Sequence, residues 1–397
     1  MVYNKQVDFL LHAFHNVHSM SYVDPSYSLV RLALPQALQR PGLLHAFAAC
    51  GAAILSRTDP RWESTSLAHH IQATRSIATA LDDLGGDQMM SNDDEWFLAS
   101  INLLHIFETL RNHPKGRPNT LHLAAAHQIY GGRASAGSIQ PMTILRRRVL
   151  GEFIFQLAIA STFHPSFFET EHSFLYVHNL LEKVGVNQRE RRKSETINQE
   201  TKICSVDQYL EMFENPVFDW IFRLSYLRTR VPLTGQYLTE AVAILAYMRN
   251  WRPLTSLAAT HLPREMIAMA EIHRIAGLIF AHKILDPSLK PRDLAIQSYV
   301  RQGTALLNTF PKSKLKDTSV MIWPIFFLGL AAITTDERGS CQRPLQYLSS
   351  VCGIGCTRGI LALLDHAWAP QSTSSGSNEG LALDVLFRDD LLSQIIF

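Results

Sequence analysis

Apolar positions recur at helical spacing along nearly the whole chain. Over 62–84, Leu67, Ile71, Ile77, Leu81 and Leu84 stand three, four or more residues apart with polar residues between them, which predicts an amphipathic helix. Over 43–55 the residues are almost continuously apolar and rich in alanine, which predicts a helix buried on every side. The pattern repeats over 95–110, 121–130, 144–163, 174–184, 217–227, 238–251, 264–285, 293–310, 324–333 and 359–368, with a last helix over 381–396. That makes about a dozen helices. Prolines and glycines, among them Pro35, Pro41, Pro60, Gly85, Gly86, Pro216, Pro263 and Pro311, fall between these segments as stop and start signals. Alternating runs of β-branched residues are scarce, and no motif repeats at the period of about 33–47 residues that a helical solenoid needs. The expected fold is all-α.

Two polar stretches interrupt the pattern. Residues 186–203 contain Arg189-Glu190-Arg191-Arg192-Lys193 and read as a linker; residues 371–380 are rich in Ser and Gly and read as a loop. The expected organisation is an N-terminal helical lobe over 1–185, the linker, and a C-terminal helical lobe over 204–397, forming one continuous body. Residues 318–335 are uncharged, but a membrane span needs about 20 apolar residues. This stretch has Ser and Thr at its ends and Pro324 inside, so a buried helix starting at Pro324 is expected and no membrane partner.

Composition narrows the function classes. Of 397 residues, 47% are hydrophobic and 18% charged, enough apolar surface for a large core. Lys and Arg number 37 against 35 Asp and Glu, so no general positive field exists to hold a polyanion. Cys50, Cys204, Cys341, Cys352 and Cys356 are odd in number and scattered, which reads as reduced thiols. No Cys-x-x-Cys pair, phosphate loop, nucleophile elbow or dinucleotide fingerprint occurs, so neither a metal nor a cofactor is expected. The N-terminus lacks an export signal, and a cytoplasmic or nuclear location is expected.

Candidate chemistry rests on histidines and tryptophans. His105 and Glu108 stand three apart on an otherwise apolar helix, where the carboxylate could orient an imidazole as a general acid or simply tie helices together. His122, on the next predicted helix, joins them as a catalytic candidate, and His127 as a ligand-binding one. Phe155, Trp220, His273, His282 and Trp323 complete the ligand-binding candidates: indoles and imidazoles combine apolar area with a polar handle, and serve a core or a ligand wall equally well. His12, His15 and His18 form a stripe whose outer members diverge by about 120°, which reads as solvated or partly packed rather than as a metal site. Arg146-Arg147-Arg148 opens a helix against its dipole, which points to an anionic partner or a salt-bridged lobe contact and more simply to a solvated basic face. Asp365 and His366 are neighbours that point about 100° apart, too far to act as a dyad.

Certain short stretches, in their order, resemble a known family: Leu32-Ala33-Leu34-Pro35, Pro41-Gly42-Leu43-Leu44-His45-Ala46 and Ala52-Ala53-Ile54-Leu55-Ser56 near the start. Glu271-Ile272-His273-Arg274-Ile275-Ala276-Gly277-Leu278-Ile279-Phe280, Ile322-Trp323-Pro324-Ile325-Phe326-Phe327-Leu328-Gly329 and residues 361–368 follow. Together they resemble the regulatory, non-DNA-binding domain of fungal-specific transcription factors, over roughly residues 5–370. The resemblance implies an all-α body whose interior binds or transmits a small-molecule signal in nuclear regulators of metabolism. The family's zinc-cluster module needs six cysteines in a short basic segment, whereas the first cysteine here is Cys50 in an apolar helix, so direct DNA reading through that module is not expected.

Two functions follow as expectations. One is a small-molecule-binding protein acting in the regulation or biosynthesis of a fungal secondary metabolite, taking a hydrophobic polyketide-like or terpenoid-like ligand and working through a protein partner or as a homo-oligomer. The alternative is a cofactor-free cyclase of Diels-Alder or hetero-Diels-Alder type, in which orienting the reactants supplies most of the effect.

Overall fold

The computed structural model describes residues 5–18, 28–83, 95–111, 122, 143–164, 216–251, 264–310, 320–350, 354–369 and 380–395. Among them are fifteen helical elements and no strand, so the all-α expectation holds. The chain forms two compact units: unit 1 comprises Met1–Gln156 and Thr170–Glu214, unit 2 Leu157–Glu169 and Asn215–Phe397. Residues 186–203 and 370–379 lie outside the described residues, as do the expected helices over 121–130, apart from His122, and over 174–184.

Unit 1 contains α1 (Lys5–His18), α2 (Leu29–Gln39), α3 (Pro41–Leu55), α4 (Trp62–Asp83), α5 (Glu95–Arg111) and the first part of α6 (Ile144–Phe163). Its centre is α3, where every residue from 42 to 53 except His45 is buried. Pro41 opens α3 at a position whose N–H would have no helical partner anyway. Leu10 of α1 packs on Ala48 and Ala52, with Leu55 and Trp62 against the same cluster. A Cβ on Gly51 would stand only 2.0 Å from the Leu10 carbonyl oxygen, so the approach of α1 to α3 requires glycine there.

Helix α5 is buried almost throughout. The Cys50 thiol donates to the Leu103 carbonyl at 3.2 Å, and Asn102 Nδ2 donates to the Val149 carbonyl at 2.8 Å, fixing α5 between α3 and α6. The basic run at the start of α6 is not simply a solvated face: Arg148 is buried and pairs one helical turn on with buried Glu152, Nη2 to Oε2 3.4 Å. In α1, His12 is exposed and His15 half-buried.

Unit 2 contains the end of α6 and α7 (Pro216–Arg228), α8 (Gly235–Asn250), α9 (Arg264–Leu285), α10 (Leu294–Leu307), α11 (Ile322–Ala331), α12 (Thr335–Ser350) and α13 (Cys356–Trp368). All ten residues of α11 are buried. The uncharged stretch therefore contains a core helix, Ile322–Ala331, starting two residues before Pro324, and no helix among the described residues is long and apolar enough to cross a membrane. Asp293 caps α10 by accepting from the Ala295 N–H at 2.9 Å.

Two helices escape the sequence pattern, α2 and α12, which hold Pro35 and Pro344 inside them. The expected helix over 381–396 is a 3₁₀ turn, Ala382–Phe387, followed by a four-residue helix, Asp389–Leu392. Leu383, Val385 and Leu386 are buried there, and i to i+3 eclipsing in a 3₁₀ turn places Leu383 and Leu386 on one side.

Candidate functional site

In unit 1, α4 and α5 pack side by side and share a polar seam. Adjacent residues on a helix point about 100° apart, so α4 sends His69 and His70 in different directions. His69 meets His45 of α3, with the two Nδ1 atoms 2.8 Å apart. His70 turns to α5, stacks on the Phe107 ring at 4.5 Å between centroids, and brings Nε2 to 3.4 Å from Glu108 Oε1. His122 stands edge-on to His70 at 5.9 Å. Two turns before His70 on the same face, Glu63 accepts from Arg111 Nη2 at 2.6 Å, closing the end of the seam.

His70, Glu108 and His122 thus offer two imidazole nitrogens and a carboxylate oxygen within 4.8 Å of one another, all half-buried. His122 Nε2 is buried with no hydrogen-bond partner, and the only partner of buried His70 Nε2 is Glu108 Oε1 at 3.4 Å. Burial pushes the Glu108 carboxyl upward, but the His70 ring facing it and the nearby charges of His122 and Arg111 outweigh it, and the group sits below its usual range. His122 is held below the usual histidine range, first by burial and then by His70, against the pull of Glu108. A carboxylate between two imidazoles can exchange a proton, hydrogen-bond a polar group of a ligand, or coordinate a cation.

Of the sequence candidates, Glu108 and His122 enter this cluster. His105 is buried on α5, while the Glu108 carboxylate faces His70 of the neighbouring helix. His70 went unnamed in the sequence reading; its one visible signal was a pair of histidines on the weakly apolar helix 62–84. Phe155 is half-buried on α6, and His127 lies outside the described residues.

The remaining candidates belong to unit 2. Trp323 Nε1–H donates to Thr162 Oγ1 at 3.0 Å, and Thr162 lies 2.9 Å from Ser225 Oγ, which donates to the Ile221 carbonyl at 2.8 Å. Ser225 has one hydroxyl proton, spent on Ile221, so Thr162 must donate to Ser225. Every donor in this buried chain is used. Phe327 packs on Trp323 at 4.4 Å and Phe280 on Phe327 at 4.8 Å.

His273 stacks parallel to Trp323 at 6.4 Å and places its ring nitrogens 2.8 Å from the Met269 carbonyl and 3.1 Å from the Val320 carbonyl. Burial drives its pKa down to about 4 despite those two carbonyls, which pull it up. A neutral ring carries one N–H, and we assign it to the shorter contact. His282 accepts from Arg249 Nη2 at 3.0 Å, and Trp220 packs edge-on against Trp251 at 5.9 Å.

Searches among curated proteins and among solved structures return no match. The family model described as the fungal specific transcription factor domain matches residues 9–381, nearly the whole of the 397-residue chain. Its match takes in α2 through α13, the polar seam of unit 1 and the aromatic core of unit 2. The chain therefore belongs to the fungal specific transcription factor domain family.

Proposed function

We propose that this chain is an effector-responsive regulatory domain that takes up an apolar or amphipathic small molecule and passes the signal to a protein partner in the control of fungal secondary metabolism. The observation that carries the reading is the family match over residues 9–381. The half-buried group of His70, Glu108 and His122 supports it: a few converging polar atoms are what orients a largely greasy ligand. The signal reaches transcription through the partner, in the nucleus or on the way to it.

The test is equilibrium dialysis of the purified chain against a panel of polyketide and terpenoid metabolites, with the bound and free compounds analysed by mass spectrometry. Saturable retention of a compound recovered unchanged is expected. Stereochemically biased conversion above the uncatalysed background would replace this reading with the cofactor-free cyclase. Failure to retain any compound, together with failure to associate with a transcriptional regulator, would remove both.

A further inference from the structure

We infer that His70, Glu108 and His122 bind a divalent first-row transition-metal ion, with Zn²⁺ the best match. This goes beyond the effector reading and does not depend on it. The geometry is half made already. On a tetrahedral zinc ion with bonds of about 2.0–2.1 Å, neighbouring ligand atoms stand about 3.4 Å apart. His70 Nε2 and Glu108 Oε1 are 3.4 Å apart. That spacing is long for a hydrogen bond and right for two ligands sharing one ion. The three ligand atoms together lie within 4.8 Å of one another.

A second observation points the same way. Buried polar atoms in folded proteins almost always have a partner. Here His122 Nε2 is buried and lacks one, and His70 Nε2, also buried, has only the long approach to the Glu108 carboxylate. A cation on the ligand side of both rings would satisfy them at once.

The donor set also selects the ion. Two imidazoles and one carboxylate suit zinc, iron(II) or cobalt(II) and disfavour calcium and magnesium, which prefer oxygen ligands. Three protein ligands leave a fourth position open for water or an exogenous group. The surroundings are built to hold the ligands in place: Phe107 stacks on His70, and α4 and α5 are already joined by Glu63 and Arg111. Arg111 is the opposing charge, and its ion pair with Glu63 at 2.6 Å offsets part of it. The ligands come from α4, α5 and the segment at residue 122, so a bound ion would cross-link three pieces of unit 1.

The experiment uses the full chain freed of metal with a chelator, titrated with Zn²⁺ by calorimetry and with Co²⁺ by visible absorption. One equivalent per chain is expected, with cobalt bands of tetrahedral intensity and no thiolate charge-transfer band. E108Q and H122A should each weaken zinc binding by about ten- to a hundredfold or more, by loss of a direct ligand. H366A, at an exposed position on α13, should leave it unchanged.

Should a cluster variant fail to fold, histidine footprinting of the unaltered chain with diethyl pyrocarbonate decides: zinc should protect His70 and His122 and leave His366 reactive. No saturable binding, unchanged affinity in E108Q and H122A, thiolate bands, or absence of protection at His70 and His122 would each overturn the site.

Discussion

Replacing Gly51 with alanine tests the packing that underlies unit 1. The added Cβ would lie 2.0 Å from the Leu10 carbonyl oxygen and 2.6 Å from its carbonyl carbon, both backbone atoms that no rotamer change can move. An ordinary carbon–oxygen contact is about 3.3 Å, so α1 must retreat by roughly 1 Å. Four side chains of α1 are at stake, Val7, Leu10, Leu11 and Phe14, each no more than 4% exposed. Their full burial is worth about 1.5–3 kcal/mol apiece, or about 6–12 kcal/mol together.

A gap of about 0.5–1 Å forfeits a quarter to a half of a dispersion well, so taking roughly a third of that sum gives a loss of about 2–4 kcal/mol. Alanine returns about 1 kcal/mol through its helix propensity, leaving a net loss of about 1–3 kcal/mol. Gly339 of α12 is the contrast, since nothing stands within 4 Å of the Cβ added there. Gly339→Ala should stabilise by about 0.5–1 kcal/mol. Urea unfolding and hydrogen exchange of peptides covering residues 5–18 and 335–350 report the two substitutions separately. G51A equal to or more stable than the unaltered chain, with unchanged exchange in α1, would refute the docking of α1 on α3.

Further predictions address charge and titration. Lys283 is fully buried and donates to the Pro287 and Leu289 carbonyls and to Asp384 Oδ1, while the other oxygen of Asp384, Oδ2, accepts from Lys290. Lys283→Met should cost about 2–4 kcal/mol, at the low end of a broken buried pair because Asp384 is partly exposed and keeps Lys290, and should speed exchange over residues 382–392; an effect below about 1 kcal/mol would contradict a structural role for the Lys283–Asp384 pair. Burial raises the Cys50 thiol well above its ordinary value and pushes Cys341 up to about 12, with Glu152 and Glu337 respectively adding to it, so both should resist alkylation at pH 8 until the chain is unfolded. Rapid labelling of either in the native protein would show that its helix is not packed as described.

His164 and His273 have pKa values of about 4, driven down by burial. An unfolded histidine titrates near about 6.5, so protonation favours the unfolded chain between these values. Stability should be complete above about pH 6.5 and fall as the pH drops towards 4, which urea midpoints at pH 7.5, 6 and 5 will measure; a flat profile would refute neutral burial of these rings.

Much of the fold was legible because burial leaves a periodic trace. Helices 144–163 and 264–285 fall where the apolar pattern places them, and Ile322–Ala331 is as buried as its composition implies. The pattern failed where a proline sits inside a helix. Pro35 reads as a stop, yet α2 runs through it, because Ser28 caps the start by accepting from the Arg31 N–H, and Leu29, Val30, Ala33 and Ala37 bury one face. Pro344 is tolerated likewise in α12, where Cys341, Leu345 and Leu348 are buried.

The site was legible only in part. Glu108 and His122 carry chemistry that any sequence reading would mark, but their convergence on His70 depends on how α4 lies along α5, which no local spacing encodes. Trp323 and His273 illustrate the reverse limit. Their residue types fit a ligand wall or a core alike, and only the coordinates reveal that the indole N–H goes to Thr162 and the imidazole to backbone carbonyls.

The most direct measurement of the regulatory account fuses this chain to an unrelated DNA-binding domain and reads a reporter gene in a fungal host, with and without a metabolite that the dialysis experiment retains. The account predicts that the fusion changes reporter output and that the metabolite shifts the change in a saturable way. A reporter indifferent to both the fusion and the metabolite, alongside turnover of that metabolite by the purified chain, would contradict it.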